Sequence, residues 1–137
     1  ASGEYLPSVE GFITDAEART DTIESSMECQ GYLEAKQAAQ AAITQLMDDN
    51  GLDLLVYPAA NQAPFPAGED PPMGWFGYQA LSSPSGLPSL TLPMGLTGSG
   101  KPVGLVFLAR ANREDVLVRA AYALEQSQSP RVPPTWP

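Results

Sequence analysis

The spacing of apolar residues predicts a helix followed by a strand in the first half of the chain. From Gly31 to Asp49 apolar side chains recur three and four residues apart, which predicts an amphipathic helix that stops at Asn50-Gly51. The predicted stripe contains Ala35, Ala39, Ala42, Ile43, Leu46 and Met47. Leu52 to Tyr57 is then an apolar run ended by Pro58, which favours a buried strand, here Leu54 to Tyr57.

Two further apolar runs flank a glycine turn near residue 100. Leu90 to Leu92 lies between Pro88 and Pro93, and these prolines are expected to bound the strand because proline cannot donate to a ladder. Val103 to Leu108 has no polar alternation, which is typical of a strand covered on both faces. With Gly98-Ser99-Gly100 as the turn, the pattern predicts a hairpin in a mixed or antiparallel part of a sheet.

Helices are also predicted near the two ends. Asp115 to Gln126 carries an apolar stripe, with Asn112 as the expected N-cap. Thr14 and Glu17 have the spacing of a capping box, which predicts a helix from there toward Cys29. Helices that alternate with strands indicate the α/β class, with one sheet flanked by helices.

The amino-acid composition argues against several classes of function. The net charge is −9, the chain has no histidine, and its single cysteine is Cys29. We therefore expect no nucleic-acid partner, no internal disulfide, no zinc site and no cofactor. Since no apolar run approaches the roughly 20 residues of a membrane span, a soluble protein is expected, with the cytoplasm slightly favoured.

Several of these segments resemble the C-terminal part of the amidase signature family. Gly86-Leu87-Pro88-Ser89-Leu90-Thr91-Leu92-Pro93, with Gly100-Lys101-Pro102-Val103-Gly104-Leu105, is similar to a hallmark of that family. In matching order come an Asp-containing strand that ends in Tyr-Pro, at 53–58, and an Ala-Tyr-x-x-Glu helix, at 121–126. The resemblance covers roughly residue 30 onward. It implies the last part of an amidase signature fold, a mixed β-sheet flanked by helices, in a hydrolase that acts on carboxamide C–N bonds.

The resemblance also implies which residues are present and which are missing. The family's nucleophile lies in a Gly-Gly-Ser-Ser-Gly-Gly loop, and a second serine and a lysine transfer the proton. No segment here matches that machinery, so no catalytic residue is assigned, and the isolated chain is expected to be inactive. The segment before the family's Gly-Leu-Pro lines the acyl side of the substrate pocket. By register, this pocket wall consists of Gln79, Ser82 and Ser83, together with Trp75 and Phe76.

The serines near Gly86 do not form a catalytic motif by themselves. Pro84 removes an amide donor where an oxyanion-binding loop needs one. Lys36 and Lys101, the two lysines of the chain, lack the context of the family's catalytic lysine. Trp75 and Phe76 suit a pocket lining and core packing equally well.

Two other interpretations stay open. One is a free-standing module that binds a peptide or small amide, and the other is a piece of an amidotransferase subunit. For the amidase interpretation, the partner is a missing N-terminal segment or a second polypeptide that carries the nucleophile loop. We then expect residues 1–137 to be one segment of a larger domain rather than an independent domain.

Overall fold

The computed structural model describes residues 9–66, 81–128, 131 and 133. The chain divides into two compact units, residues 1–34 and residues 35–137. Each unit has its own packing, and the second unit contains the sheet.

The first unit contains helix α1, Glu10–Ala18. Thr14 lies in the middle of this helix, where its hydroxyl donates to the Glu10 carbonyl at 2.9 Å. The predicted capping box at Thr14 is therefore wrong. A threonine inside a helix can hydrogen-bond the carbonyl four residues back, so the same residue type serves both positions and the sequence spacing alone does not distinguish them.

Helix α2, Met27–Asp49, begins earlier than the pattern predicts and passes through Gly31. Its less exposed face carries Lys36, Ala39, Ile43 and Met47, whereas the predicted stripe members Ala35, Ala42 and Leu46 are exposed. The helix ends as predicted, because Gly51 adopts a φ of 62° and the Leu52 N–H donates to the Met47 carbonyl at 2.8 Å.

Three strands form an antiparallel sheet: β1, Leu54–Pro58, β2, Ser89–Leu96, and β3, Pro102–Ala109. The strand order is β1-β3-β2, so the apolar run of β3 occupies the centre of the sheet, and β2 and β3 form the predicted hairpin. Strand β2 is longer than expected because it continues past Pro93 through an irregularity before Gly95. Proline is tolerated there since β2 is an edge among the described strands and a bulge needs no donor at that position.

A single helical turn, α3, Ser82–Ser85, precedes β2, and helix α4, Glu114–Ser127, covers one face of the sheet. Asn112 is not the N-cap of α4, because it adopts a left-handed φ of 59° and Arg113 occupies the cap position. Asparagine populates that conformation more readily than most residues, which explains why it precedes the helix in a different role. The buried cluster under α4 consists of Leu92, Phe107, Ala109, Leu117 and Ala121.

The opposite face of the sheet contains a second buried cluster, Tyr57, Leu87, Val106 and Leu108, with Ile43 of α2 packed against it. The predicted arrangement of one sheet flanked by helices is thus confirmed, and the fold class is α/β. Arg110 connects the end of β3 to α2, since its guanidinium donates to the Asp48 carboxylate at 2.6 Å and to the Leu52 carbonyl at 2.7 Å. Across the described helices, none is long and apolar enough to cross a membrane.

Candidate functional site

Two of the five predicted pocket-wall residues lie in the described part of the chain. Ser82 and Ser83 open helix α3, which is a single turn between the loop after β1 and strand β2. Ser82 is half-buried and Ser83 is exposed. Trp75, Phe76 and Gln79 lie outside the described residues.

Gly86 ends α3 with a left-handed backbone, φ 68° and ψ 14°, and its N–H donates to the Ser82 carbonyl at 3.0 Å. A residue with a Cβ is strained in this conformation, which favours glycine here. The backbone then turns directly into Leu87, which is buried beneath the sheet. Gly86 therefore joins the turn that carries the exposed Ser83 to the buried Leu87.

Ser85 has a structural role in this turn. Its side chain is fully buried, and its hydroxyl lies 2.5 Å from the Leu81 carbonyl and 3.1 Å from the Ser82 carbonyl. The hydroxyl oxygen also accepts the Leu87 N–H at 3.3 Å. A serine whose proton and lone pairs are committed to the backbone cannot act as a nucleophile without dismantling the turn, so Ser85 positions α3.

Tyr57 approaches Ser82 from strand β1. Burial raises the pKa of the Tyr57 phenol above 10.0, and its hydrogen bond with the Ser82 side chain partly opposes that rise. The phenol is therefore neutral at ordinary pH and can interact with a hydroxyl or a carbonyl without introducing charge. Ser82 is half-buried beside Tyr57, whereas Ser83 is exposed.

Lys36 reaches the same turn from helix α2. A Cβ built on Gly86 would lie 2.5 Å from the Lys36 Cε and 3.0 Å from its Nζ, so the lysine occupies the space that the missing side chain leaves. Sequence reasoning missed this residue. The available signal was its spacing, because Lys36, Ala39, Ile43 and Met47 follow one helical stripe and Lys36 is the charged member of it.

The loop after β1 is anchored near the hairpin turn. The Ala59 N–H donates to the Gly104 carbonyl at 2.8 Å, and the Lys101 ammonium donates to the Pro64 carbonyl at 2.5 Å. A Cβ on Gly104 would lie 2.9 Å from the Thr91 Cγ2 atom and 3.1 Å from the Ala59 Cβ, so glycine allows this close approach. These contacts fix the path of residues 59–64 where the chain leaves β1.

The second lysine and the cysteine do not complete a catalytic arrangement in the described ranges. Lys101 is engaged with a backbone carbonyl, and no described serine hydroxyl hydrogen-bonds to either lysine. Cys29 is half-buried in the first unit, where its N–H donates to the Ser26 hydroxyl. Among the same described residues, no group of three or more potential metal ligands is found.

A family model described as Amidase matches residues 2–118. The chain belongs to the amidase family. The resemblance that the Gly86 and Gly100 segments suggest is thereby confirmed, and so is the expectation that the chain is a partial segment.

Relatives of this amidase segment include both hydrolases and an amidotransferase component. It is 37% identical over 105 residues to one subunit of the glutamyl-tRNA(Gln) amidotransferase of Trichormus variabilis, a match that covers 72% of this chain and 21% of that protein. The native peptide amidase of Stenotrophomonas maltophilia superposes with a TM-score of 0.71 at 30% identity, over 91% of this chain and 25% of that one. An amidase family protein of Bacillus anthracis superposes with a TM-score of 0.66 at 25% identity, over 92% and 21%.

The fraction of each relative that the match covers shows how much of a family member this chain represents. The segment spans about a fifth to a quarter of the length of the relatives it matches.

Proposed function

We propose that this chain forms the substrate-pocket wall and part of the sheet of an amidase that hydrolyses a carboxamide. The observation that supports the proposal is the position of α3. It carries Ser82 and Ser83, the residues assigned to the pocket wall by resemblance, on a turn fixed to the core with Ser83 exposed. Ser85, Gly86 and Tyr57 hold that turn in place through contacts with the core and backbone. The wall itself would comprise Ser82 and Ser83, with Trp75, Phe76 and Gln79 from the preceding segment.

The chemistry of amide hydrolysis assigns the remaining parts to residues outside this sequence. A serine must attack the amide carbon, a base must accept its proton, and that proton must reach the leaving nitrogen. We assign these steps to the family's Ser-Ser-Lys machinery, carried by an N-terminal segment or a second polypeptide. The developing oxyanion also needs N–H donors, and Pro84 offers none, so those donors belong to the nucleophile loop as well.

Within this scheme the residues of this chain bind and orient the substrate, and they do not take part in breaking the amide bond. The half-buried Ser82 and the exposed Ser83 can donate to or accept from a polar group of the acyl part. A site of this kind lowers the activation barrier for hydrolysis by orienting the substrate. A bound amide that is already aligned for attack loses less entropy on reaching the transition state. The peptide amidase from Stenotrophomonas maltophilia superposes with a TM-score of 0.71 at 30% identity, which supports hydrolysis.

The amidotransferase interpretation is the second candidate, and it is favoured by sequence identity. The chain is 37% identical to the amidotransferase component of Trichormus variabilis over 105 residues. The two candidates differ in the fate of ammonia, since a hydrolase releases it to water and a transfer enzyme delivers it to a second active site. The strongly acidic composition gives no support for contact with an RNA.

The decisive experiment compares the chain alone with the chain joined to the remaining part of an amidase domain. Release of ammonia from peptide amides and glutamine, and of the arylamine from N-aryl amides, should appear only in the joined protein. Release from glutamine alone, coupled to transfer onto an acceptor, would select the amidotransferase. Turnover by the 137-residue chain would contradict the proposal.

Point variants refine that comparison. In the joined protein, Ser83→Ala should raise KM for the preferred amide while kcat stays within about threefold, because a wall residue contacts substrate without sharing in bond making. Loss of kcat by about a thousandfold or more, in a variant of unchanged stability, would instead make Ser83 part of the catalytic machinery.

A further inference from the structure

Lys36 is a half-buried lysine whose charge the contacts within residues 9–66 and 81–128 do not explain. In residues 9–66 and 81–128, the other lysine and four arginines all have an oxygen acceptor, in Pro64, Asp48, Asp115 or Glu28. The Lys36 ammonium has no hydrogen bond or ion pair with any of these described residues, although the residue is half-buried.

The helix that carries Lys36 offers it no partner either. On a helix surface, a side chain meets the residues three and four positions away. For Lys36 these are Tyr32, Leu33, Ala39 and Gln40, and none of them is charged. The ammonium therefore extends from an uncharged face of α2 toward α3.

Its location relative to the pocket wall follows from the contact with Gly86. The Lys36 Nζ lies 3.0 Å from where a Gly86 Cβ would stand. Gly86 follows Ser83 by three residues and Ser82 by four, which is about one helical turn, or roughly 5 Å along the axis. The ammonium thus lies at the C-terminal end of the turn that carries the two wall serines, and the carbon stem of Lys36 packs on Gly86.

An ammonium group in this position is best paired with an anionic hydrogen-bond acceptor. It offers three donors and a full positive charge, and partial burial makes a paired state more favourable than an unpaired one. A carboxylate oxygen satisfies both requirements through a charge-assisted hydrogen bond, and the neighbouring Ser83 hydroxyl can donate to the second oxygen.

We propose that Lys36 binds a carboxylate on the acyl part of the substrate, so that the enzyme prefers amides of dicarboxylic acids or of acidic residues to neutral amides. This inference rests on the proposed amidase function and specifies the substrate class of the same pocket. Gly86 contributes by leaving room for the lysine stem, and Lys36 is a specificity-determining residue rather than a catalytic one.

The test uses the complete amidase that contains this chain, with two 4-nitroanilides as probes. One carries a succinyl group and the other a butyryl group, so the pair differs by a carboxylate at the end of a short acyl chain. The wild type should use the succinyl probe with the higher kcat/KM. Lys36→Met should raise KM for the succinyl probe about tenfold or more, while kcat and both constants for the butyryl probe stay within about twofold.

Two further variants separate charge from structure. Lys36→Arg should keep most of the preference, since guanidinium also pairs with carboxylate. Lys101→Met removes the same charge at a lysine bound to the Pro64 carbonyl and should leave the preference for the succinyl probe in place.

The outcomes distinguish the role of Lys36 from the proposed amidase function. Equal use of both probes by the wild type, or an unchanged preference in Lys36→Met, overturns the role of Lys36 while leaving the amidase proposal standing. A Lys36→Met variant that loses thermal stability without any change in selectivity shows that the lysine pairs with an acid elsewhere in the protein, and it overturns the inference too. Failure to cleave either probe or any other amide overturns the proposed function, and the inference with it.

Discussion

The two faces of the sheet are built from the same three strands but carry different chemistry. The face under α4 is an apolar contact whose fully or nearly buried members are Leu92, Phe107, Ala109, Leu117 and Ala121. The face toward α3 mixes apolar residues with the Tyr57 phenol, the Ser85 hydroxyl and, beside them, the Lys36 ammonium.

The difference in polar groups between the two faces indicates which face has a role besides stability. Charged groups on the α4 side form exposed pairs, such as Arg119 with Asp115 at 2.9 Å, which contribute little to folding. Polar groups on the α3 side are buried or half-buried, and each costs free energy unless it has a partner. A fold retains such groups where they position a turn or bind a ligand, which is why the candidate site belongs on that face.

The largest expected effect is a loss of folding stability when this chain is separated from the remaining part of the domain, which we expect to cover its sheet edges and exposed apolar residues. Val56, Met94 and Leu96 are 49%, 46% and 48% exposed on the outer strands β1 and β2. Unpaired strand edges with apolar side chains favour association. We expect the remaining part of the domain to bury more than about 2,000 Å² against this chain.

The isolated chain should therefore lack a cooperative thermal transition or should aggregate. Calorimetry and light scattering on the purified 137 residues measure this directly. A sharp transition in a monodisperse monomer would instead support the free-standing binding module.

The next largest effect should come from the apolar α4 face. Leu117 is 2% exposed, and Leu117→Ala should destabilise the complete protein by about 2–5 kcal/mol by leaving a cavity. Because the cavity lies on the face away from α3, KM for the preferred amide should not change at temperatures well below unfolding. Denaturant titration and steady-state kinetics provide the two readings. Val118→Ala, at a position 59% exposed, is the matched control and should change stability by less than about 0.5 kcal/mol.

A smaller effect is expected on the α3 face from Gly86→Ala. The left-handed φ of 68° should cost about 1–2 kcal/mol for a residue with a Cβ, and the Lys36 Cε would lie 2.5 Å from that Cβ. Unlike Leu117→Ala, this change should also raise KM, because it displaces the pocket wall.

A double-mutant cycle separates the two causes. Adding Lys36→Ala to Gly86→Ala should recover the steric part of the lost stability and leave the backbone strain. Strict additivity of the two changes would show that Lys36 and Gly86 do not contact each other.

The smallest effect concerns the exposed ion pairs on α4. The hydrogen bond from Arg113 lowers the pKa of Asp115 below its ordinary 3.8, and Arg119 adds to the shift. A carboxyl whose folded pKa is depressed stabilises the fold above the unfolded pKa and loses that contribution as pH falls through the folded value. The wild type and Asp115→Asn should therefore differ slightly in unfolding temperature near neutral pH and converge as the pH falls through the lowered folded pKa of Asp115. A difference that persists at the lowest pH would assign another role to Asp115.

The sequence correctly predicted the elements whose apolar residues repeat with a clear period. Leu54 to Tyr57, Val103 to Leu108 and Asp115 to Gln126 lie within β1, β3 and α4, because burial of an apolar face determines both the period and the element. It also predicted the amidase family, since the Gly86 and Gly100 segments resemble that family in order as well as in residues.

The errors occurred where a residue type suits two local structures. Thr14 and Asn112 both favour helix caps, yet one lies inside a helix and the other adopts a left-handed turn. Pro93 was expected to end a strand that in fact continues past it through a bulge. In each case the neighbouring backbone, which the local sequence does not specify, selects between the alternatives.

The sequence by itself determined the α/β class, the family and the position of the serine turn before Gly-Leu-Pro. Only the tertiary structure decided what surrounds that turn. Lys36 is 50 residues from Gly86 along the chain, and Tyr57 is 25 residues from Ser82. No periodicity links such distant positions, because their contact depends on how α2 and β1 pack against α3. The chemistry of the candidate site therefore came from packing, whereas the scaffold beneath it came from the pattern of apolar residues.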